Sequence, residues 1–347
     1  MKTTGYAAFD EKSALKPFDF ERRQLKENDI AIDIKYCGVC HSDLHQARND
    51  WHGSLYPLVP GHEIVGVVTE VGAKVKKYNK GDTVAVGCLV DSCQTCAPCK
   101  DDEEQYCEQG ATQTYNSEDK VSEGITYGGY SNYIVVREEF VVNVPKGMDL
   151  AKVAPILCAG ITTYSPLKEW NVKKGDRVGV IGLGGLGHMA VKLASAMGAE
   201  VTLFTTHERK SADALKLGAK HVVVSTDEEQ MERAAKSLDL IIDTVPVAHD
   251  LSPYIPTLAI NGTLVMVGAI DDIPSFHMGL LLGGRRRVAA SVIGGIADTQ
   301  EVVDFCAKHE IYPDCEMIKM DEINEAFERM QKGDVKYRFV IDMASLK

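Results

Sequence analysis

The sequence has no apolar run near the roughly 20 residues needed to cross a bilayer, and its start, MKTTGYAAFD, has no apolar signal core. A cytoplasmic location is therefore the expectation. Basic charge is also scarce, with 38 Lys and Arg against 50 Asp and Glu, a net charge of −12. The densest basic cluster is only Arg285-Arg286-Arg287. Without a basic stripe, neither nucleic acid nor an anionic membrane is an expected partner. No internal repeat and no low-complexity tract stand out. The ten cysteines are not read as a disulfide framework. A leaderless chain belongs in a reducing compartment, where tight cysteine spacing points to metal.

The length of 347 residues suits about two domains. Up to about residue 147, short β-like runs broken by Gly and Pro dominate, such as IAIDIKYCGV, IVGVVTEVG and DTVAVG. They read as a barrel-like β unit. From about 150 the texture changes to strand, glycine turn, helix, strand, in GDRVGVIGLGGLGHMAVKLASAMGAEVTLFTT. Further alternation follows in HVVV, LDLIIDTV and GTLVMVG, which argues for a doubly wound parallel sheet. The tail from about 289 is too small to bury a core alone and is expected to fold back onto the first region. The expectation is an α/β chain in which 1–150 with 289–347 forms the catalytic domain and 151–288 the nucleotide domain.

Cys93, Cys96, Cys99 and Cys107 stand in a C-x2-C-x2-C-x7-C pattern. Four thiolates around one ion suit tetrahedral Zn²⁺ with no open position, a structural site. The surrounding loop is polar, and ligation supplies its ordering free energy. With no seat for substrate, chemistry must lie elsewhere. Cys40 in CGVCHSDLH, His62 in PLVPGHEIVG and the distant Cys158 in ILCAG could make a set of three ligands plus water, the arrangement of catalytic zinc. Each alone is weak: a lone Cys in an apolar run is commonly a small buried residue.

Gly182, Gly184 and Gly187 spell G-x-G-x-x-G between a strand and a helix, the context a dinucleotide fingerprint requires. NAD sites place an acid at the end of the second strand. Here Thr205 and Thr206 stand there, with Arg209 and Lys210 following. Hydroxyls and cations can donate to a 2′-phosphate that an acid would repel, so NADP(H) is expected over NAD(H). Glu208 is the awkward neighbour and is read as exposed.

The motifs CGVCHSDLH, YPLVPGHEIVG, the four-cysteine loop ending in EQYC, APILCAGITTYSPL, GLGGLGHMAVKLA, DTVP and DVKYRFVID occur in order along nearly the whole chain. In them the sequence resembles the zinc-dependent medium-chain alcohol dehydrogenases, most closely the cinnamyl alcohol dehydrogenase branch. The resemblance implies a GroES-like catalytic domain and a Rossmann domain, two zinc ions per chain, NADP(H) and a homodimer. Cys40, His62 and Cys158 match the catalytic zinc ligands. Glu63 matches a carboxylate that approaches the metal during ligand exchange, and Asp43 one bonded to the ligand imidazole. Ser42 and His45 match a proton relay that works through a cofactor ribose hydroxyl. Further cofactor contacts are implied at Thr162, Leu183, Gly185, Leu186, Val245, Val267, Gly268, Ser291, Ile293 and Arg338.

The substrate pocket is expected at Trp51, Leu55, Gln113 and Val292. Plant lignin enzymes carry an aromatic at the positions matching Gln113 and Val292. This chain has neither, so a broad aldehyde reductase for aromatic and medium-chain aliphatic aldehydes is expected. The alternatives are an iminium or enal reductase on the same scaffold, a polyol dehydrogenase, and a non-catalytic NADPH-binding protein.

Overall fold

The computed structural model describes residues 1–122, 124–268 and 272–346. They form two compact units, Met1–Cys158 with Gly294–Lys347, and Ala159–Ile293. The boundaries differ from the expected 150/151 and 288/289. The helical turns Leu150–Val153 and Ala154–Leu157 pack on strands of the first unit. Residues 289 and 290 finish a strand of the second. Backbone pairing and apolar packing decide both edges, and neither is marked by a composition shift.

The first unit is built on a seven-stranded sheet centred on Asp29–Val39. That strand pairs antiparallel with Ile64–Val71, Tyr133–Arg137 and Arg338–Asp342. Thr83–Val86 extends one side and Cys315–Lys319 the other. Eight of the eleven residues of the central strand are buried, which explains why DIAIDIKYCGV reads as a nearly continuous β-like run. The C-terminal strand returns to this sheet with Phe339 opposite Val39.

The second unit is a six-stranded, all-parallel sheet in the order His221–Val224, Glu200–Thr205, Arg177–Ile181, Leu238–Asp243, Leu258–Met266, Arg287–Ala290. Numbered along the chain this is 3-2-1-4-5-6, the doubly wound order. The direction of winding reverses between Arg177–Ile181 and Leu238–Asp243. Phe204, Ile241, Leu258 and Leu264 are fully buried in its core. No helix among the described residues is long and apolar enough to cross a membrane.

Candidate metal and nucleotide sites

Strand Asp29–Val39 ends where helix His41–Ala47 begins, with Cys40 as the capping residue. The sequence dictates this turn: Asp43 at the third helical position turns back so that the Cys40 N–H donates to its Oδ2, 2.9 Å away. The same carboxylate accepts from Gly61 N–H (3.1 Å) and from the Tyr130 hydroxyl (3.0 Å), and lies 3.3 Å from His62 Nδ1. It is fully buried, so those four partners are what make its charge tolerable there. In return it fixes the His62 ring, leaving Nε2 as the ligating atom.

Cys40, His62, Glu63 and Cys158 each offer a donor atom within 4.8 Å of the others, and all four are buried. Two sulfurs each about 2.3 Å from one tetrahedral zinc stand about 3.8 Å apart. Cys40 Sγ and Cys158 Sγ are 3.8 Å apart. The donor set therefore fits the ion. The two thiols share their proton unevenly. The bond from Cys158 pulls Cys40 well down, and the same contact pushes Cys158 well up. A pair of soft sulfur donors of this kind suits zinc.

Glu63 pairs with Arg338, the first residue of the returning strand, through its Oε1. The other oxygen, Oε2, is buried without a partner. Burial pushes the Glu63 carboxyl up to about 7, against the pull of Arg338. Gly38 leaves room for it: a Cβ there would stand 1.9 Å from Oε2.

The second cluster, Cys93, Cys96, Cys99 and Cys107, also lies within 4.8 Å throughout. Cys93 and Cys99 sulfurs are 3.9 Å apart, again the tetrahedral-zinc separation. Backbone N–H groups of Thr95 and Cys96 aim at Cys93 Sγ (3.4 and 3.3 Å). With the Thr95 hydroxyl, they bring its thiol down to about 5.

On helix His41–Ala47, Ser42 and His45 are three residues apart and so share a face. Ser42 Oγ lies 3.6 Å from Cys40 Sγ. His45 Nδ1 bonds Asp50 Oδ2 at 2.8 Å, and its ring leans on Trp51 with centroids 5.2 Å apart. Leu55 and Gln113 lie on exposed segments tied by Asn116 and Ser117.

In the second unit, strand Arg177–Ile181 turns at Gly182, whose φ of 90° is open to glycine, and helix Gly187–Ala196 follows. Gly184, Gly185 and Leu186 complete the turn, and Leu183 is buried in it. N–H groups at a helix start of this kind suit an anionic group. Strand Glu200–Thr205 ends on the buried Thr205. Thr206, Glu208 and Arg209 are exposed. Lys210 Nζ reaches back to the Leu183 carbonyl at 3.3 Å, which ties the basic pair to the glycine turn. Thr162 is buried in helix Ala159–Glu169. Val245, Val267 and Gly268 follow the ends of their strands, Ser291 N–H bonds the Met266 carbonyl at 3.1 Å, and Val292 is 48% exposed. Ile293 has a positive φ of 38°.

Sequence reasoning missed several neighbours. Tyr115 lies face to face with His62, ring centroids 5.7 Å apart. Tyr130 holds Asp43, Asp50 holds His45, and the Cys88 thiol points at the Leu157 carbonyl at 3.8 Å, next to Cys158. Only Asp50 was close enough in sequence to be found, five residues from His45. The others meet the site through the fold.

Removing one partner of a buried ion pair strands the other charge. Arg338→Met is expected to lower unfolding stability by about 3–5 kcal/mol, and Arg338→Met with Glu63→Gln by clearly less. Urea unfolding of both decides it; equal losses would mean the pair is not the source.

Residues 26–146 match the alcohol dehydrogenase GroES-like domain family and residues 185–308 the zinc-binding dehydrogenase family. The aldehyde reductase YahK of Escherichia coli (strain K12) is 52% identical over 348 residues, covering 100% of this chain and 99% of that one. A cinnamyl alcohol dehydrogenase structure from Sorghum bicolor superposes with a TM-score of 0.96 at 44% identity, over 100% of this chain and 99% of that one. The cinnamyl alcohol dehydrogenase of Helicobacter pylori, solved with NADP(H), gives 0.94 at 46% identity, over 100% and 99%. Two donor sets at zinc-like separations, a doubly wound sheet and these likenesses agree: the chain is an alcohol dehydrogenase of the zinc-binding medium-chain family, in its cinnamyl alcohol dehydrogenase-like branch.

Proposed function

We propose that the protein reduces aromatic and medium-chain aliphatic aldehydes to primary alcohols, reversibly, with NADPH and a zinc ion on Cys40, His62 and Cys158, and that a second zinc sits on Cys93, Cys96, Cys99 and Cys107. The observation that carries the reading is the first donor set: Cys40, His62 and Cys158 are all buried, the two sulfurs stand at the tetrahedral-zinc separation, and among the described residues the cluster is completed by Glu63 rather than by a fourth cysteine. When bound, zinc supplies a Lewis acid for the carbonyl oxygen and NADPH the hydride. The chain's own task is the proton. Ser42 Oγ, 3.6 Å from Cys40 Sγ, would hand it toward that oxygen. His45 restores it, because it is partly open to solvent and its Nδ1 is held by Asp50. Trp51, packed on His45, offers apolar surface to an aromatic substrate, with Leu55, Gln113 and Val292 as further pocket residues. Aldehyde, NADPH and one proton give alcohol and NADP⁺.

The test is an aldehyde panel on native protein and on Cys40→Ser, with zinc counted by elemental analysis. The expected native count is two per chain. Cys40→Ser is expected to hold one zinc and to lose at least about 10³-fold in kcat/KM, the scale of a lost electrostatic stabiliser. Native protein with one zinc or none and no turnover would favour a nucleotide-binding protein instead.

Thr205, Thr206, Arg209 and Lys210 would hold the 2′-phosphate. Charge-assisted bonds contribute about 1.5–3 kcal/mol each, so kcat/KM for NADPH should exceed that for NADH by more than about tenfold. Arg209→Ala with Lys210→Ala should erase most of that gap; similar values for the two nucleotides in native protein would refute the assignment.

The homodimer belongs to the same reading. Strand Arg287–Ala290 is an open sheet edge. Beside it Ile260, Met278 and Leu282 are 69%, 60% and 77% exposed, large apolar groups that a second copy would cover. Sedimentation should give a dimer for native protein and a monomer for Leu282→Glu. A native monomer would remove the proposal.

A further inference from the structure

Asp243 is the last residue of strand Leu238–Asp243 and stands beside Ile181 in the neighbouring strand, at the point where the sheet reverses its winding. Its carboxylate is 1% exposed. Oδ1 accepts from Val245 N–H at 3.1 Å. Oδ2 faces His249 Nε2 at 3.0 Å, but neither atom has a well-aligned hydrogen bond. The attraction is therefore ionic more than directional, and it depends on the charge of the imidazole.

The partners of His249 decide that charge. Its Nδ1 lies 3.0 Å from the Val247 carbonyl, which can only accept, so Nδ1 carries a hydrogen. A neutral ring in that tautomer would turn the Nε2 lone pair toward the Asp243 carboxylate. Both contacts are satisfied together only by the imidazolium. Asp243 accordingly holds the imidazole above its ordinary range, against a smaller opposing effect of burial. Of the other groups facing the ring, the Asp250 carboxylate, held by Ser252 N–H at 2.8 Å, adds a smaller pull in the same direction as Asp243. Tyr254 meets the ring edge-on at 6.2 Å, and burial keeps its phenol neutral.

What the pair holds is the support of the glycine turn. Thr244 Oγ1 donates to the Ile181 carbonyl at 2.7 Å. A Cβ at either Gly182 or Gly187 would come 3.1 Å from Thr244 Oγ1. On the other side, a Cβ at Gly268 would meet Thr244 C and Val245 O at 2.6 Å. The segment 243–245 is thus wedged without slack between the turn and Gly268.

We infer that Asp243 and His249 are positioning residues for the dinucleotide: the charged pair pins segment 243–249, and through Thr244 it sets the glycine turn that receives the pyrophosphate. This rests on the NADP(H) reading above. Nicotinamide-nucleotide affinity is then highest with His249 protonated and falls as pH rises through its raised pKa.

The test is fluorescence titration of NADPH and NADH into native protein, His249→Gln and Asp243→Asn, from about pH 6.5 to about 9, spanning the histidine range. The 2′-phosphate itself titrates near pH 6, so NADH, which lacks it, serves as the control. Native affinity for both nucleotides should fall roughly fivefold across the range, the scale of a partly buried ion pair of about 1 kcal/mol. His249→Gln should be flat and as weak as native protein at high pH. A pH profile shared by native and His249→Gln, both shown folded by thermal melting, overturns the inference. So does a His249→Gln that is weaker by the same factor at every pH. Should Asp243→Asn not fold, His249→Gln decides alone. Native protein that binds neither nucleotide at any pH overturns the cofactor reading and this inference together. Binding without a pH step overturns only the latter.

Discussion

One buried carboxylate organises the metal-binding unit. Asp43 gathers the Cys40 N–H, the Gly61 N–H, the Tyr130 hydroxyl and the His62 ring around a fully buried charge. The four partners come from three segments: a helix start (Cys40), the loop before strand Ile64–Val71 (Gly61 and His62), and the turn before strand Tyr133–Arg137 (Tyr130). An unmet charge there would cost far more than any one of these bonds contributes, so the three segments close together or not at all. The ligand positions follow from that closure. Cys40 is fixed as the helix cap, and His62 is fixed by the bond to its other nitrogen.

The two halves of the molecule solve related problems with different means. In the first unit, metal-type donors are gathered, namely thiols, a carboxylate and an imidazole, with Arg338 paired to the carboxylate. In the second, the start of helix Gly187–Ala196 offers N–H groups, and Lys210 reaches back to the glycine turn, groups of the kind that suit an anion. The overall negative charge of the chain is silent about both, because the fields that matter act over a few ångströms and are screened beyond that.

Much of the fold was legible because its signals are local. Apolar strands, glycine turns and helical repeats alternate within windows of about thirty residues, and that is enough for a doubly wound sheet. The glycine fingerprint and the cysteine loop are likewise short, since each is one turn of chain closing on one ligand. The domain edges were less legible. Leu150–Leu157 is a pair of helical turns whose partners are strands of the first unit, and nothing in its own composition names them.

The sequence by itself determined the donor types and their local spacing: four cysteines within fifteen residues, Cys40 with Asp43, Ser42 with His45, and threonines instead of an acid after the second strand. Those patterns survive any fold, because a helix turn or a tight loop brings neighbours together. Only the tertiary structure decided which distant groups meet. Cys158 reaches Cys40 across 118 residues, Arg338 reaches Glu63 across 275, and Tyr130 reaches Asp43 across 87. Such contacts are consequences of sheet pairing and core packing, which have no period in the chain, and so no motif announces them.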